Sequence, residues 1–444
     1  MYKKTIYWFK RDLRIDDNKA FNECCKKSEG LIPIFIFDHN ILEKYKSYDS
    51  RLGFIIDCVE NLTIEINKKG GNLFCFYGDT VKVFDYLISK YKIEAVFTNK
   101  SFSWTGEEIE KKVEIICKKR GVNFYAIPDN FLCFINKIPY EKVFTNFYKK
   151  WKNFVNTVIF KPPQRINFIL VNEPDIFKIS KNLKFCKNKY WSVNWGIKRL
   201  RSFKFKDYEE KRNRLDIDGT SKLSPYIRFG IVSLRKILKE VTEQSGKDNL
   251  FIKELAWREF WYHIKINFSG FKDIEFQEKR RNLKWENNEK FLDAFINAKT
   301  GYPIIDAAII QLKEENWIHN RLRMILANFL TKDLLIDWRI GEEFFKQYLI
   351  DYDEVVNVGN WQWCASVGPD PKPFRIFNPV IQSQKFDPYA KFIKKYLPEL
   401  KKIPSYMLHN PLEFNLPYYK PIINHFERIK KAKSFYLSRY WKIK

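Results

Sequence analysis

The sequence lacks a long hydrophobic run. None of the apolar stretches in its 444 residues approaches the roughly 20 residues that a membrane-spanning helix needs. Residues 1–14 also lack the apolar core, ending in small residues, that marks a secretory signal. These two absences predict a cytoplasmic protein with no membrane-bound part.

Metal-binding spacings are missing as well. The eight cysteines include one adjacent pair, Cys24 and Cys25, but no CxxC pattern. None of the five histidines lies at zinc-finger spacing from the cysteines. We therefore expect reduced thiols and no metal ion.

The glycine-rich loop of dinucleotide-binding proteins is also absent. No GxGxxG follows the first predicted strand, so the N-terminal part is not an ordinary NAD-binding half. Its short apolar, β-branched or aromatic runs nevertheless alternate with helical patterns, which predicts an α/β domain with a doubly wound parallel sheet over residues 1–130. The predicted strands are Thr5–Phe9, Leu31–Phe37, Asn72–Tyr77, Glu94–Thr98 and Val122–Ile127.

After this domain the pattern changes twice. Residues 131–205 lose periodicity and include two successive prolines, Pro162 and Pro163, which indicates a long interdomain connection with an embedded helix. From residue 206 to residue 444 helical spacing dominates, which predicts an all-α domain. The predicted helices are Ile231–Thr242, Leu250–Asn267, Phe291–Ala298, Tyr302–Glu315 and Trp317–Lys332.

Positive charge, in contrast, is in excess. Lys and Arg number 80 against 53 Asp and Glu, which gives a formal net charge of +27. A polyanion such as nucleic acid is the natural partner of such a chain. A genome that favours Lys, Asn, Ile and Phe explains the same excess, so charge alone does not establish DNA binding.

One predicted helix face mixes polar and apolar chemistry. Trp317, Asn320, Arg321 and Met324 are predicted to share a face of the helix over residues 317–332. An indole, an amide, a guanidinium and a thioether do not make a pure core face, so they indicate a binding site. A helix that crosses the boundary between core and solvent explains the same mixture.

A second mixed stripe lies on the helix around residues 251–263. Its members, at helical spacing, are Glu254, Trp257, Arg258 and Trp261. A carboxylate beside two large aromatic side chains suggests a functional site. Glu254 and Arg258 are also four residues apart, the spacing of an ordinary surface ion pair, and this alternative stays open.

Two further features allow a functional and a structural explanation. Residues 219–225 carry three hydroxyls and backbone amides just before a predicted helix, an arrangement that binds phosphate. The same Ser and Thr side chains are ordinary helix caps. Trp285, Trp338, Trp361 and Trp363 follow no spacing that one helix explains, and they are packing residues or, if they lie close together, an electron relay.

These sequence motifs, in this order along the chain, resemble those of the DNA photolyase and cryptochrome family. The match is carried by Thr300–Ala307 and Trp317–Met324, and by Asp333–Arg339, Asn357–Trp363 and Arg375–Pro379, which are similar to the family's second signature. Residues 8–14, followed by Asp17 and Asn18, are similar to its opening motif. The resemblance runs nearly end to end and is closest to class I cyclobutane pyrimidine dimer photolyases. It implies an N-terminal α/β domain joined to a helical, FAD-binding domain.

The resemblance implies a reaction driven by blue or near-UV light. In this family, excited and fully reduced FAD gives one electron to a cyclobutane pyrimidine dimer in DNA, the ring splits, and the electron returns. Arg323 and Asp351 are expected to pair beside the isoalloxazine, and Asn357 to face the ring nitrogen whose protonation sets the redox form. The residues implied around FAD are Tyr208, Thr220, Ser221, Leu223, Ser224, Arg258, Trp317, Asn320, Arg323, Asp351, Asp353 and Asn357. Whether the protein also binds a second, light-harvesting chromophore stays open, and the candidates are folate, deazaflavin and flavin.

The resemblance also implies a substrate site for damaged DNA on a monomeric protein. Glu254 matches the acid that hydrogen-bonds the dimer carbonyl, and Trp257 and Trp363 match the residues that stack on the extruded dimer. The rest of the implied pocket comprises Arg212, Asn320, Arg321 and Met324. Trp361, Trp338 and Trp285 match, in that order outward, the chain that delivers electrons to oxidised flavin.

Within the family, the residues favour the cyclobutane dimer as substrate. Six-four photolyases carry histidines at the positions of Asn320 and Met324, and plant cryptochromes carry Asp at the position of Asn357. A cryptochrome-type blue-light photoreceptor is the alternative. A basic DNA-binding module without catalysis would explain the charge but not the flavin-site residues.

Overall fold

In the computed structural model, the described residues are 1–42, 49–133, 135–171, 188–369 and 374–437. They form two compact units. The first comprises Met1–Ile135, Trp151–Phe203 and Ser221–Asp248, and the second comprises Asn136–Lys150, Lys204–Thr220 and Asn249–Lys444. The chain thus passes between the units more than once. The domain boundaries expected after residues 130 and 205 stay predictions.

The first unit contains a five-stranded, fully parallel sheet in the order β3-β2-β1-β4-β5. Parallel neighbours need crossover connections, and helices supply them here. The predicted doubly wound sheet is confirmed, with strand ends shifted by two residues at most. The strands are β1 Thr5–Phe9, β2 Leu31–Asp38, β3 Phe74–Gly78, β4 Ala95–Asn99 and β5 Asn123–Ile127.

The helices of both units are numbered here along the chain. They are α1 Lys19–Lys27, α2 His39–Leu42, α3 Asp49–Asn67, α4 Thr80–Tyr91, α5 Trp104–Lys119, α6 Phe144–Trp151, α7 Val193–Ser202, α8 Tyr208–Lys211, α9 Ser224–Arg228, α10 Leu234–Ser245, α11 Leu250–Asn267, α12 Glu289–Ile296, α13 Pro303–Glu315, α14 Asn320–Asn328, α15 Trp338–Tyr348, α16 Glu354–Cys364, α17 Pro379–Phe386, α18 Lys391–Tyr396, α19 Ser405–His409 and α20 His425–Leu437. None of them, within the described residues, combines the length and apolarity needed to cross a membrane.

A buried ion cluster fixes α10 within the first unit. The Arg235 guanidinium donates to Asp17 Oδ1 at 2.9 Å and to Asp129 Oδ1 at 2.7 Å, and all three side chains are buried. Asp17 follows β1 and Asp129 follows β5, so one arginine joins both strand ends to α10. A buried arginine needs such partners because an unpaired charge in the protein interior is costly.

The second unit is helical, as predicted, but one predicted helix begins later than expected. Residues 317–332 divide into α14, which starts at Asn320, and a π-helical turn Phe329–Asp333. His319 caps α14, its Nδ1 accepting a hydrogen bond from the Arg321 amide at 2.9 Å. Trp317 therefore precedes the helix, and the prediction that it shares a helical face with Asn320 was wrong. A side chain cap, which the periodicity of the apolar residues does not reveal, sets this boundary.

Candidate functional site

Three helices of the second unit, α11, α14 and α16, carry nearly half of the predicted site residues. Helix α16 contacts α11, α14 and α15. The close approach of α11 and α16 depends on Gly359, because a Cβ there would lie 2.4 Å from Cδ2 of Trp261. This packing brings the residues predicted on α11, α14 and α16 onto adjoining helices.

Glu254 of α11 is part of a charged cluster. It forms an ion pair with Arg212, with Nη1 and Oε1 2.7 Å apart and with 29% and 17% of the Glu254 and Arg212 side chains exposed. Arg321 donates to Asn213 Oδ1 at 2.8 Å, and its guanidinium lies 4.4 Å from the ring centre of Phe386. Burial, followed by the nearby Arg212 charge, lowers the pKa of Arg321. The cluster therefore presents two guanidiniums, which bind carbonyl and phosphate oxygens, and one carboxylate, which accepts hydrogen bonds.

The two tryptophans expected to stack on a base each have an aromatic or cationic partner. The ring of Trp257 lies 3.6 Å from that of Phe144, with 6° between the planes. The guanidinium of Arg375 lies 4.9 Å from the ring centre of Trp363. Both indoles are half-buried. Half-buried, supported indoles suit stacking on nucleobases, whose flat faces need no sequence-specific contact.

Asn320 and Met324 lie one turn apart at the start of α14. Asn320 Nδ2 is 3.9 Å from the Met324 sulfur, and Asn320 is exposed while Met324 is half-buried. The predicted face that joins Asn320, Arg321 and Met324 is thus present without Trp317, which is buried. An exposed amide beside a polarisable thioether can contact a heterocyclic ligand.

The residues expected near a flavin form two hydrogen-bonded groups. Arg323 pairs with Asp351 Oδ2 at 2.7 Å, as expected from the sequence. The other oxygen, Asp351 Oδ1, is buried and has no hydrogen-bond partner among the described residues. A buried acceptor without a donor is costly, so it fits the edge of a bound heterocycle that carries N–H groups. The pair of Arg323 and Asp351, with its one unused acceptor oxygen, therefore fits FAD.

Asn357 of α16 lies in the second group. Its Nδ2 donates to Glu342 Oε1 at 2.9 Å, and Tyr352 donates to the same oxygen at 2.9 Å. Burial raises the pKa of Glu342, although both hydrogen bonds oppose the shift. Glu342 was not predicted as a site residue, because it lies on α15 at no regular spacing from Asn357.

Arg258 and Asp353 are linked through a tyrosine. Tyr262 donates to Asp353 Oδ2 at 2.6 Å, and the Arg258 guanidinium lies 5.2 Å from the Tyr262 ring centre. Asp353 also caps α16, its Oδ1 accepting from the Val355 amide at 3.2 Å. This arrangement ties the start of α16 to α11, and it places an aspartate where it adds negative charge near a helix N-terminus.

The predicted phosphate motif is divided between the two units. Tyr208 and Thr220 belong to the second unit, whereas Ser221, Leu223 and Ser224 belong to the first. The Leu223 amide donates to Ser221 Oγ at 3.3 Å, so this amide of the motif already has a partner within the chain. The serine turn satisfies its own backbone, which is the usual behaviour of hydroxyl side chains at helix starts. Ser224 is exposed and begins α9, which has five residues.

Two of the three relay tryptophans are deeply buried. Trp338 and Trp361 are each 1% exposed, and neither indole nitrogen has a hydrogen-bond partner within the described residues. A Cβ on Gly341, one turn after Trp338, would lie 2.2 Å from Cη2 of Trp361. Trp285 is half-buried, and its ring centre lies 5.2 Å from that of Phe435. Burial separates Trp285 from the two deeply buried rings but does not order Trp361 and Trp338, so the outward order of the relay stays a prediction.

The sequence reasoning missed the residues that support the site. Phe144 and Arg375 contact the two stacking tryptophans, and Tyr262 and Glu342 contact flavin-site residues. Phe144 lies in the segment interpreted as a connection, so only its place in the aromatic-rich run of residues 140–151 could have drawn attention. No cluster of metal-ligating side chains is found in the part of the chain that the structure describes.

Comparisons with known proteins give a consistent result. Residues 5–165 match a family model described as DNA photolyase, and residues 251–438 match one described as the FAD binding domain of DNA photolyase. The deoxyribodipyrimidine photo-lyases of Buchnera aphidicola subsp. Acyrthosiphon pisum and of Synechococcus sp. are 36% and 34% identical to this chain. Each alignment covers 98% of this chain and 97% of the relative.

A solved structure agrees along the whole length. The archaeal photolyase from Sulfolobus tokodaii, solved with two FAD molecules, superposes with a TM-score of 0.89 at 32% identity. The match covers 98% of this chain and 100% of that chain. The likeness thus extends over both units and not only over the signature residues.

Proposed function

This chain belongs to the DNA photolyase family, and we propose that it is a deoxyribodipyrimidine photolyase that splits cyclobutane pyrimidine dimers in DNA under blue or near-UV light. The observation that carries this proposal is the packing of α11 against α16. Glu254 and Trp257 lie on one helix of this pair, and Asn357 and Trp363 lie on the other. Lesion-binding and flavin-side residues thereby occur on a single helix pair.

The helical unit contains the FAD-binding domain. We assign the flavin end to Arg323, Asp351 and Asn357, because the buried Asp351 Oδ1 is an acceptor that needs a donor. When bound and reduced, FAD supplies the light-excited electron that opens the cyclobutane ring. The protein contributes position and electrostatics: Arg323 balances the Asp351 charge, and Glu342 orients the Asn357 amide. The remaining assigned residues are Tyr208, Thr220, Ser221, Leu223, Ser224, Arg258, Trp317, Asn320 and Asp353.

The dimer must leave the duplex to reach such a site, a behaviour for which photolyases are themselves a standard example. Trp257 and Trp363 stack on the extruded bases. In its protonated form Glu254 donates a hydrogen bond to a dimer carbonyl, while Arg212 and Arg321 place positive charge beside the same oxygens. The excess of Lys and Arg holds the phosphate backbone.

Reactivation of oxidised cofactor is assigned to the buried tryptophans. Trp361, Trp338 and Trp285 would pass electrons inward from the surface to the flavin. Burial without a hydrogen-bond acceptor at the indole nitrogens of Trp361 and Trp338 disfavours proton loss from an oxidised ring. A hole on either ring therefore moves on instead of being trapped.

We further propose a cytoplasmic monomer, and a second chromophore stays open between folate, deazaflavin, flavin and none. The two FAD molecules of the Sulfolobus tokodaii photolyase make a flavin one of the candidates. The ratio of chromophore to protein after denaturation and chromatography tests this: two chromophores per chain support a second site, and one contradicts it. Size-exclusion chromatography tests the monomer.

Binding in darkness tests the proposed function apart from photochemistry. A duplex with one thymine dimer and the same undamaged duplex are titrated against the purified, flavin-containing protein. A photolyase binds the dimer at least tenfold more tightly, because only the extruded lesion engages Trp257, Trp363 and Glu254. Flavin absorbance bands with equal affinity for both duplexes would favour the cryptochrome-type photoreceptor. Absence of flavin would favour a simple DNA-binding module.

A further inference from the structure

Phe144, the first residue of α6, lies against one ring face of Trp257. The two ring centres are 3.6 Å apart and the planes differ by 6°. Phe144 is 6% exposed, and Phe260 of α11 meets it edge-on with ring centres 5.7 Å apart. One face of the Trp257 indole is therefore covered by a flat, buried ring of the protein itself.

This stack is not the arrangement that two free rings prefer. Both ring faces carry partial negative charge, so isolated aromatic pairs favour offset or edge-on geometries over a superimposed sandwich. A near-parallel pair at 3.6 Å must consequently be held in place by its surroundings. The packing of α6 on α11 supplies this constraint.

Several contacts fix α6 on α11. Phe147, one turn after Phe144, lies 5.4 Å from the ring of Phe260 and 5.0 Å from the ring of His263. The Glu141 amide donates to His263 Nε2 at 2.9 Å, and Lys150 pairs with the Glu141 carboxylate. The segment is thus attached to α11 on both sides of Phe144, at Glu141 and at Phe147, which restrains the Phe144 ring against the indole.

We infer that Phe144 is a positioning residue for damaged DNA, holding Trp257 in the orientation in which a base of the extruded dimer stacks on it. An indole already fixed by a ring on one face loses little freedom when a base arrives, and preorganisation of this kind raises affinity. The DNA base then completes a stack of three rings, Phe144, Trp257 and the base. Because this role rests on the proposed function, its test must separate the two.

The test compares dark binding of a thymine-dimer duplex and of its undamaged counterpart by Phe144→Leu protein. We expect dimer affinity to fall by roughly threefold to tenfold, the range for losing one preorganised side chain, with undamaged-DNA affinity unchanged. Phe144→Tyr keeps a flat ring and should retain dimer affinity. Phe295→Leu makes the same chemical change at a fully buried residue of α12 that packs on Phe344, and is the matched control for a loss of folding.

A double variant shows whether the effect passes through Trp257. In a Trp257→Ala background, Phe144→Leu should cause no further loss of dimer affinity. Additive losses, or equal losses for Phe144→Leu and Phe295→Leu, would overturn the positioning role. Tighter dimer binding by Phe144→Leu would overturn it too, since Phe144 would then compete with the lesion for the indole. A wild-type protein without preference for the dimer contradicts the proposed function instead.

Discussion

At the scale of single residues, Glu254 is the side chain that we propose acts on the dimer. Its carboxylate pairs with Arg212 and lies on α11 one turn before Trp257. We expect Glu254→Ala to lower the single-turnover repair rate of reduced protein by on the order of tenfold to a hundredfold, because a hydrogen bond aimed at developing charge is lost. Product formation is measured on a thymine-dimer oligonucleotide after a light pulse.

Glu254→Gln is the matched control for this change. The amide keeps a hydrogen-bond donor and nearly the same shape, so its loss of rate should be smaller than that of the alanine variant. Equal rates for wild type and Glu254→Ala would show that the carboxylate does not act on the dimer. The Arg212 pairing would then be its only function.

His319 makes stability depend on pH. Burial, and then the charge of Arg321, lowers the pKa of His319 to about 3. Between pH 6.5 and pH 3 the unfolded chain therefore binds a proton that the folded protein does not, so stability falls as the pH is lowered. From pH 7 to pH 5 this histidine alone should cost about 2 kcal/mol of unfolding free energy.

Denaturant unfolding of wild type and of His319→Asn, at both pH values, measures this effect. Asn keeps a side chain that can cap α14 but does not titrate. From pH 7 to pH 5, the unfolding free energy of wild type should fall by about 2 kcal/mol more than that of His319→Asn protein. A pH-independent difference would mean that His319 takes up a proton in the folded protein.

At the scale of elements, the contact between α11 and α16 depends on Gly359. A Cβ at this position would approach Cδ2 of Trp261 to 2.4 Å, too close for any real contact. We expect Gly359→Ala to lower the unfolding free energy by about 1–3 kcal/mol, the usual cost of overpacking. Thermal or denaturant unfolding measures this change.

Asn360→Ala provides the comparison within the same helix. Asn360 is exposed, so its replacement should change the unfolding free energy by less than about 0.5 kcal/mol. If Gly359→Ala behaved like Asn360→Ala, the two helices would have room to separate. The packing of α11 on α16 would then not depend on this glycine.

The relay also belongs to this scale, since its members lie on α15, α16 and a preceding loop. Trp361→Phe should abolish photoreduction of oxidised FAD while sparing repair by chemically reduced protein, because phenylalanine is much harder to oxidise. Absorbance of the flavin under illumination, with an electron donor present, measures photoreduction. Trp195→Phe, a change in the first unit, should photoreduce like wild type, and loss of both activities in Trp361→Phe would refute the relay.

The elements were more predictable than the site. Strand β1 and helix α11 have the predicted bounds because apolar periodicity and caps coincide there. The start of α14 was missed because His319, and not an apolar residue, sets it. Local spacing predicted the Asn320, Arg321 and Met324 face, whereas the supports Phe144, Arg375 and Glu342 come from distant segments. Only the folded chain brings such segments together.

At the scale of the whole molecule, charge should govern general DNA affinity. With a net charge of +27, binding to undamaged DNA should weaken steeply with salt. If about six phosphates are contacted, affinity should fall by roughly 1,000-fold between about 50 mM and 200 mM salt. The preference for dimer over undamaged DNA should change much less, since stacking on Trp257 and Trp363 releases no counterions. Salt-independent affinity would show that the excess charge does not meet phosphate.

Light-dependent repair tests the central assignment most directly. Purified, chemically reduced protein is mixed with a thymine-dimer oligonucleotide and kept under blue light or in darkness, and restored thymines are quantified by chromatography. We expect restoration in the light alone. No repair in the light by protein that retains FAD and binds the dimer would contradict the assignment of this chain as a photolyase.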